Sequence, residues 1–261
     1  DFEGRVPVKR TDEIGQLADA FNGMADSLAA SDGTRRDFVA NVSHDFRSPL
    51  TNIRGYIGAM LDGMIPPETQ EKYLKIILME TERLTKLTEQ LLEMNRYENN
   101  GIILNFSTFD INEVIRNAAS SFEKHCTEKK ISIHLIFSAP SLYVDADRDK
   151  ISQVIQNLID NAVKFSSPDS SIEIQTTIQK DKIFVTVSDH GIGIPEESLP
   201  HIWDRFYKTD VSRGKDKTGS GLGLAITKEI IDAHHEYIHA TSILGSGTDF
   251  SFSLPHHASG I

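Results

Sequence analysis

The sequence predicts a multidomain protein in which an all-α antiparallel helical hairpin, forming a dimeric four-helix bundle, precedes an α/β sandwich. Apolar residues recur at steps of three and four between residues 14 and 94, as they do on long amphipathic helices. From residue 111 onwards, helix-like stretches alternate with strand-like stretches. The length of 261 residues also exceeds that of one typical domain.

The composition limits the possible functions. A formal net charge of -11 argues against a nucleic-acid-binding protein, which needs a basic face for the phosphate backbone. The single cysteine, Cys126, excludes an internal disulfide and a multi-cysteine metal site, and we interpret it as a buried apolar residue. No apolar run approaches the roughly 20 residues of a membrane-spanning helix, and nothing resembles a signal peptide, so we expect a cytosolic chain.

The first predicted helix carries a heptad seam on residues 11–30. Its apolar positions are Ile14, Leu17, Phe21, Met24 and Leu28. No apolar residue continues the seam between residues 31 and 36, and it resumes at Val39 after an eleven-residue step, which indicates a stutter and a junction. The alternative is fraying at Gly33, which costs a helix about 1 kcal/mol relative to alanine.

Two further seams predict the hairpin. The first consists of Val39, Val42, Phe46, Pro49, Ile53, Tyr56 and Met60. The second follows the helix-breaking segment DGMIPPE and consists of Tyr73, Ile77, Leu84, Leu87, Leu91 and Met94. Two helices of this length joined by a short Gly/Pro loop form an antiparallel hairpin, and a second copy of the chain would complete a four-helix bundle.

The C-terminal region has the pattern of one sheet beneath a layer of helices. We predict helices at residues 111–129, 148–165 and 222–234. Strands are predicted at residues 131–137, near LYVDAD, at SIEIQTTI and KIFVTVSD, and in two final segments ending in FSFSL. The turn residues at 180–182 and in LGSGT favour hairpins and hence mixed or antiparallel pairing.

The stretch SHDFRSPLT places unusual residues inside the predicted bundle. With Val39 at heptad position a, His44 falls at the outermost position, f. A neutral imidazole is a competent nucleophile, and Asp45 beside it can orient the ring or accept its proton. Ser48 lies one turn further along the same face. Pro49 removes a backbone donor and costs about 3 kcal/mol in a helix interior, so we expect a hinge after the histidine.

Helix 148–165 has a polar face that is unusual for a solvated surface. Opposite its apolar stripe, polar residues recur at steps of three and four, namely Asn157, Asp160, Asn161 and Lys164. Asparagine is a poor helix former, so two of them one turn apart indicate a function. Their amide oxygens can bind magnesium, and Lys164 can contact a phosphate. A merely solvated face is the alternative.

Two glycine-rich segments follow. The alternation in KIFVTVSD places Asp189 on the buried face of its strand, where a carboxylate needs a donor such as the exocyclic amine of a purine. Gly191 and Gly193 would let the backbone approach that base closely. The three glycines of GSGLG precede a helix, whose first amides can hold phosphates. Because no Lys-Ser/Thr pair follows, this segment is not a Walker P-loop.

These motifs together resemble those of bacterial two-component sensor histidine kinases. FVANVSHDFRSPL is similar to the family's H-box, NLIDNAVKF to its N-box, DHGIGIP to its G1 box, IWDRFYK to its F-box and GSGLGLAI to its G2 box. DEIGQLADAFNGMADSL resembles the second helix of a HAMP relay domain. The five kinase motifs occur in the family's order, and the resemblance covers nearly the whole chain.

The resemblance implies a kinase that uses Mg-ATP to phosphorylate His44 and passes the phosphoryl group to an aspartate of a response regulator. Asp45 would be the catalytic acid beside the histidine, and Ser48 would supply the hydroxyl for a phosphatase activity. Magnesium would bind Asn157 and Asn161. The other nucleotide-binding residues implied are Lys164, Phe165, Asp189, which would recognise adenine, Gly191, Gly193, Arg205, Phe206, Gly219, Gly221, Leu222 and Gly223.

The same resemblance implies an architecture. We expect the C-terminal part of a HAMP domain and a coiled coil at 1–33, a dimerisation and phosphotransfer domain at 34–103, an ATP-binding domain at 104–255 and a tail at 256–261. A lid before Gly219 would carry three basic residues, Arg213, Lys215 and Lys217. The expected partners are a second copy of the chain, bound through the hairpin, and a response regulator. Membrane attachment is expected only through an upstream HAMP helix, membrane span and sensor, with this part on the cytoplasmic side of a bacterial plasma membrane.

Several positions depart from the family's usual residues. Asp45 stands where glutamate is usual, so the acid is kept but has a shorter reach. Ser48 stands where threonine is usual, so the hydroxyl is kept but the methyl group that constrains it is lost. Phe165 stands where tyrosine is frequent. His235 and Glu236 replace paired glycines, and we expect this change to affect only a turn.

Two other classes are alternatives. An ATP-driven chaperone or topoisomerase shares the asparagine helix and the glycine loops, but it does not account for a dimerising hairpin that carries His-Asp-x-x-Ser-Pro. A scaffold that binds ATP without catalysis does not account for the complete set of motif residues. The sequence leaves open the signal sensed and whether His44 receives phosphate from ATP bound to its own chain or to its partner.

Overall fold

The computed structural model describes residues 4–7, 12–209 and 219–257. The chain divides into two compact units, residues 1–85 and 86–261. Three basic residues predicted to lie in a lid, Arg213, Lys215 and Lys217, fall outside the described residues. In the described ranges, none of the helices combines the length and the apolar character that crossing a membrane requires.

The first unit is built on a helical hairpin, as predicted. It contains α1 (Glu13–Leu61) and the first part of α2 (Pro67–Asn100), joined by residues 62–66. Asp12 caps α1 by accepting a hydrogen bond from the Gly15 amide at 3.2 Å. The rings of Tyr56 and Tyr73 lie 5.2 Å apart between the two helices.

α1 is continuous through residues 31–36, so fraying at Gly33 does not occur. The Arg36 guanidinium donates to the Asp32 carboxylate at 3.1 Å, and this pair, one helical turn apart, spans the glycine. The seam residues before the junction remain open to solvent, with Leu17 67% and Met24 60% exposed. Exposed apolar side chains in such a row are what a partner helix would cover.

A short N-terminal segment lies along α1. The Val6 amide donates to Asn22 Oδ1 at 2.9 Å, and Asn22 Nδ2 donates back to the Val6 carbonyl at 2.9 Å. Arg5 Nε donates to the Asp26 carboxylate at 3.1 Å, one turn further along. The Asn22 side chain thus satisfies both the amide and the carbonyl of Val6.

Glu80, which interrupts the apolar seam of α2, is buried in the hairpin at 8% exposure. Asn52 Nδ2 of α1 donates to Glu80 Oε1 at 2.9 Å, and Arg83 Nη1 lies 3.6 Å from Glu80 Oε2. A buried carboxylate requires such partners, so this polar layer ties α1 to α2 at one level of the hairpin.

The second unit is the predicted α/β sandwich with a mixed sheet. Within the described residues, its five-stranded sheet has the order β2–β4–β5–β7–β6. These strands are β2 (Ser132–Phe137), β4 (Ser171–Gln179), β5 (Lys182–Asp189), β6 (Ile238–Ile243) and β7 (Gly247–Pro255). β2 and β4 are parallel, and the other neighbours are antiparallel.

A second, two-stranded sheet was only half predicted. β3 (Tyr143–Asp147) corresponds to the predicted strand at LYVDAD, and it pairs antiparallel with β1 (Phe106–Asp110). β1 escaped prediction because it has five residues, and its first three are exposed, so it lacks a clear alternation of apolar side chains.

Helices cover the sheet. They are α3 (Ile111–Ser121), α4 (Glu123–Lys129), α5 (Arg148–Phe165) and α6 (Gly223–Ala233), with a short 3₁₀ helix at Glu196–His201. The single helix predicted at 111–129 is therefore wrong, because the chain breaks at Phe122. The Ser121 hydroxyl donates to the Ala118 carbonyl there, which competes with the regular helical hydrogen bonds. The apolar stripe of α5 is fully buried and positions its polar face, which belongs to the candidate site.

Candidate functional site

The candidate phosphoacceptor lies on α1 in the first unit. The His44 side chain is 81% exposed, in agreement with its outer heptad position. Its Nδ1 lies 3.5 Å from Asp45 Oδ1, whose side chain is 13% exposed. A ring with Nδ1–H turned towards the carboxylate carries its lone pair on Nε2, the atom on the far side of the ring. Ser48 is exposed one turn further along the helix.

The helix around His44 is unusual but unbroken. Pro49 lies inside α1, and the helix continues on both sides of it, so the missing backbone donor does not end the helix. Two hydroxyl groups bond back to carbonyls one turn earlier, from Ser43 to Val39 at 2.7 Å and from Thr51 to Arg47 at 2.8 Å. Such bonds favour bending of a helix, so a hinge at this position stays a prediction with local support.

The candidate nucleotide site in the second unit centres on Asp189, the last residue of β5. Its side chain is buried at 8% residue exposure, as predicted from strand alternation. Burial raises the pKa of Asp189 to about 6, although hydrogen bonds from the backbone amides of Gly191 and Thr248 oppose the shift. The Gly191 amide donates to Asp189 Oδ1 at 2.9 Å. A carboxyl group held this way is suited to accept a further hydrogen bond from a ligand amine.

The glycines after Asp189 are required by the protein's own backbone. A Cβ on Gly191 would lie 2.4 Å from the Phe165 carbonyl oxygen, and one on Gly193 would lie 2.2 Å from the Ile243 carbonyl oxygen. Gly193 also has a φ of +68°, which side chains rarely adopt. The close packing of this turn against the end of α5 and against β6 is therefore a structural reason for both glycines, and their close approach to a base stays a prediction. Phe165 is brought to the site by that packing.

The second glycine-rich segment, residues 219–223, is called the glycine loop below. Gly221 has a φ of +70°, and a Cβ there would lie 2.7 Å from Phe206 Cα. The Phe206 amide donates to the Gly221 carbonyl at 2.9 Å, so the F-box segment and the glycine loop are in contact. Leu222 is fully buried, and Arg205 Nη2 lies 3.5 Å from Glu229 of α6. The structure therefore assembles the predicted residues from two separate motifs.

The polar face of α5 meets the start of α6. Asn157 Nδ2 donates to the Gly223 carbonyl at 3.3 Å and to the Thr227 hydroxyl at 3.4 Å. Because both bonds use the amide nitrogen, the amide oxygen can serve as a ligand. Asn161 lies half-buried one turn later, and Lys164 Nζ lies 2.9 Å from Asp160 Oδ2. The ammonium of Lys164 is thus already engaged by a carboxylate on the same face.

The arrangement fits a magnesium nucleotide. Across the described ranges there is no group of three or more His, Cys, Asp or Glu side chains that could bind a metal by themselves. The amide oxygens of Asn157 and Asn161 are hard oxygen ligands that this face would offer to a magnesium ion, with phosphates and water completing its coordination.

Sequence reasoning missed several contributors. Thr227 is fully buried, and Thr248 pairs with Asp189 across β5 and β7, but neither residue belongs to a recognisable sequence motif. The position of Thr227 on an apolar helix face is a weak signal that could have indicated it. The expectation that Glu236 affects only a turn is wrong. Its carboxylate accepts a hydrogen bond from Lys182 at 2.8 Å and another from the Ser253 hydroxyl, which joins the turn to β5 and β7.

Comparisons with known families agree with this geometry. Residues 146–258 match the family described as histidine kinase-, DNA gyrase B-, and HSP90-like ATPase. Residues 34–100 match the His Kinase A (phospho-acceptor) domain, and residues 1–30 match the HAMP domain.

Individual proteins are similar over most of the chain. Sensor histidine kinase WalK of Bacillus subtilis is 36% identical over 230 residues, which are 86% of this chain and 37% of that protein. The chain thus spans little more than a third of the length of this relative. The crystal structure of histidine kinase ThkA in complex with response regulator protein TrrA is 31% identical, with a TM-score of 0.69, covering 84% of this chain and 61% of that one.

The catalytic domain of ThkA is matched almost completely. It is 32% identical with a TM-score of 0.52, and the match covers 58% of this chain and 95% of that domain. Taken with the three matched domains, this similarity shows that the chain belongs to the sensor histidine kinases, with HAMP, histidine phosphoacceptor and ATPase domains.

Proposed function

We propose that the chain is an ATP-dependent protein histidine kinase that phosphorylates His44 and passes the phosphoryl group to an aspartate of a response regulator. The observation that carries this proposal is the exposed imidazole of His44 with its Nδ1 facing Asp45. An exposed ring oriented by a neighbouring acid is the arrangement expected of a nucleophile that must be reached by a separate donor.

ATP would be held by the second unit. Asp189 would accept the adenine amine, and the amides of the glycine loop would bind phosphate oxygens at the start of α6. Magnesium bound through Asn157 and Asn161 would neutralise phosphate charge. Lys164 would add a cation after exchanging its contact with Asp160.

In the reaction, His44 Nε2 attacks the γ-phosphorus. A P–N bond forms as the bond from that phosphorus to the bridging oxygen breaks, and ADP leaves with the electron pair. The ring gains positive charge, and Asp45 stabilises it by accepting a hydrogen bond from Nδ1–H. Positioning and charge neutralisation supply most of the catalysis in phosphoryl transfer. Transfer to an aspartate of a regulator then frees His44.

The proposed assembly follows from the same features. Apolar side chains that are exposed on α1 and α2, among them Val39, Leu74 and Leu78, would be covered in a homodimer through the hairpin, as the matched phosphoacceptor family suggests. A response regulator as partner is supported by the ThkA–TrrA complex. Ser48 would support a phosphatase activity. A membrane-attached sensor outside this sequence, with this part on the cytoplasmic side, is suggested by the HAMP match.

We also propose the domain limits predicted from the sequence. Residues 1–33 would be HAMP and coiled coil, 34–103 the phosphotransfer domain, 104–255 the ATP-binding domain and 256–261 a tail. The matches at 1–30, 34–100 and 146–258 lie close to these limits at most ends.

Labelling with γ-phosphate tests the function. The chain incubated with γ-labelled ATP and magnesium should give an acid-labile, base-stable phosphoprotein, and His44→Gln should give none. His239→Gln, which changes an exposed histidine on β6, is the matched control and should be labelled normally. Label that persists in His44→Gln would refute the assignment of the nucleophile. ATP hydrolysis without any phosphoprotein would favour a chaperone-like or topoisomerase-like ATPase.

A further inference from the structure

The last turns of α2 belong to the second unit, together with the sheet domain. Four polar residues of this segment recur at steps of four, three and four, and therefore share one helix face: Lys86, Gln90, Glu93 and Tyr97. This set is called the α2 polar face. Lys86, Glu93 and Tyr97 contact residues of α5, and Gln90 contacts the glycine loop.

The C-terminal half of the α2 polar face is a tightly bonded anchor. Glu93 Oε1 accepts a hydrogen bond from Lys150 Nζ at 2.8 Å, and Glu93 Oε2 accepts one from Gln153 Nε2 at 2.7 Å. Tyr97 donates its hydroxyl proton to Glu93 and accepts from Lys150 at 2.6 Å. Burial would raise the pKa of Glu93, but these three donors outweigh it and leave the pKa lowered. The anchor therefore sets the position of α2 along α5.

One turn before Glu93, the same face reaches the glycine loop. The Ser220 hydroxyl donates to Gln90 Oε1 at 2.8 Å and accepts from the Leu222 amide at 3.2 Å. A hydroxyl has a single proton, so giving it to Gln90 leaves the lone pairs to face the Leu222 amide. Leu222 immediately precedes α6 and caps it without a side-chain bond of its own. Gln90 thereby determines which way the Ser220 hydroxyl points.

We propose that Gln90 is a positioning residue for the glycine loop, through which α2 sets the affinity of the site for nucleotide phosphates. The inference rests on the proposed function, since it takes the loop to be the phosphate site. Ser220 lies between Gly219 and Gly221, and glycine-flanked backbone loses much conformational freedom when it becomes ordered. A loop held by Gln90 has already lost that freedom before a nucleotide binds. Movement of α2 relative to the loop would break the contact and weaken binding.

The test compares nucleotide affinities by calorimetry on the whole chain carrying His44→Gln, so that no phosphoryl transfer occurs. Gln90→Met keeps the length but removes the acceptor, and should raise the Kd for Mg-ATP about fivefold, the value of one hydrogen bond. Gln90→Glu keeps an acceptor oxygen and should stay near the parent. Glu89→Met, which places the same side chain at an exposed neighbouring position, is the control.

Two further measurements separate positioning from general destabilisation. Adenosine lacks phosphates, so its affinity should not change in Gln90→Met. Ser220→Ala removes the bond to Gln90 and also the acceptor of the Leu222 amide, so it should weaken Mg-ATP binding at least as much as Gln90→Met. The double variant should bind Mg-ATP no more weakly than Ser220→Ala alone, because the bond to Gln90 is then already lost. The inference would be overturned by an equal loss of affinity for adenosine and Mg-ATP, by additive effects of the two substitutions, or by a Kd for Mg-ATP that does not change in Gln90→Met. A parent chain that binds no Mg-ATP would instead overturn the proposed function. If Gln90→Met does not fold, Gln90→Ala replaces it in the same comparisons.

Discussion

Replacing Asp189 by asparagine should stabilise the second unit at neutral pH while it removes nucleotide recognition. Burial raises the pKa of Asp189 from its ordinary value of 3.8 to about 6. A raised carboxyl pKa means that the folded state disfavours the ionised form. The resulting loss in the free energy of unfolding is absent well below pH 3.8, grows as the pH rises from 3.8 to about 6, and is complete above about pH 6.

The shift sets the magnitude. One pKa unit corresponds to 1.36 kcal/mol, so the full penalty is about 3 kcal/mol at pH ~7.5 and about 1 kcal/mol at pH ~4.5. Asparagine carries no charge and can still accept the Gly191 hydrogen bond through its amide oxygen. Asp189→Asn should therefore be more stable relative to the parent at the higher pH than at the lower one, by about 2 kcal/mol. Any constant effect of the amide group cancels in this comparison.

Trp203 provides the assay. It is the chain's single tryptophan and packs edge-on against Phe250 of β7, with 5.9 Å between ring centroids, so its fluorescence reports unfolding of the second unit. Urea denaturation of parent and variant at both pH values gives the free energies of unfolding. Asp181→Asn, which removes an exposed carboxylate from a turn in the same unit, is the control for the change from aspartate to asparagine. A stability difference that is the same at both pH values would refute the reasoning.

Three other changes test separate parts of the structure. Gly191→Ala places a Cβ 2.4 Å from a carbonyl oxygen and should lower the free energy of unfolding by roughly 2 kcal/mol or more in the Trp203 assay. In the control Gly223→Ala, the new Cβ has no neighbour nearer than 3.8 Å, so the free energy of unfolding should change by no more than about 0.5 kcal/mol. Equal losses in the two variants would contradict the packing argument. Asn52→Leu removes the side chain that donates a hydrogen bond to Glu80 at 2.9 Å, and it should destabilise the hairpin by about 2 kcal/mol. Urea denaturation followed by far-UV circular dichroism measures this loss, and the exposed change Glu82→Gln is the control. An unchanged midpoint would show that the Glu80 carboxylate forms a hydrogen bond with another partner. Asn161→Asp alters the charge and hydrogen bonding of the proposed magnesium ligand and should weaken Mg-ATP binding measured by calorimetry, with nucleotide affinity equal to that of the parent counting against the ligand role.

Local patterns were sufficient for most of the elements and for the exposed position of His44 and the buried position of Asp189. The three- and four-residue spacing of α1 and α2, the alternation of β5 that buries Asp189, and the glycines before α6 each reflect an interaction within a few residues of chain. The prediction failed at Phe122, where a local hydrogen bond from the Ser121 hydroxyl competes with the regular helix. It also missed β1, which is a strand because it pairs with the distant strand β3.

The sequence by itself determined the hairpin, the α/β sandwich, the exposed position of His44 and the buried position of Asp189, because periodicity along the chain dictates which face each side chain occupies. Only the tertiary structure decided why the glycines are needed and which residues support the loop. Gly191 meets the Phe165 carbonyl, and Ser220 meets Gln90, 130 residues away in sequence. Contacts of this kind depend on how separate elements pack, and no spacing within a single element encodes them.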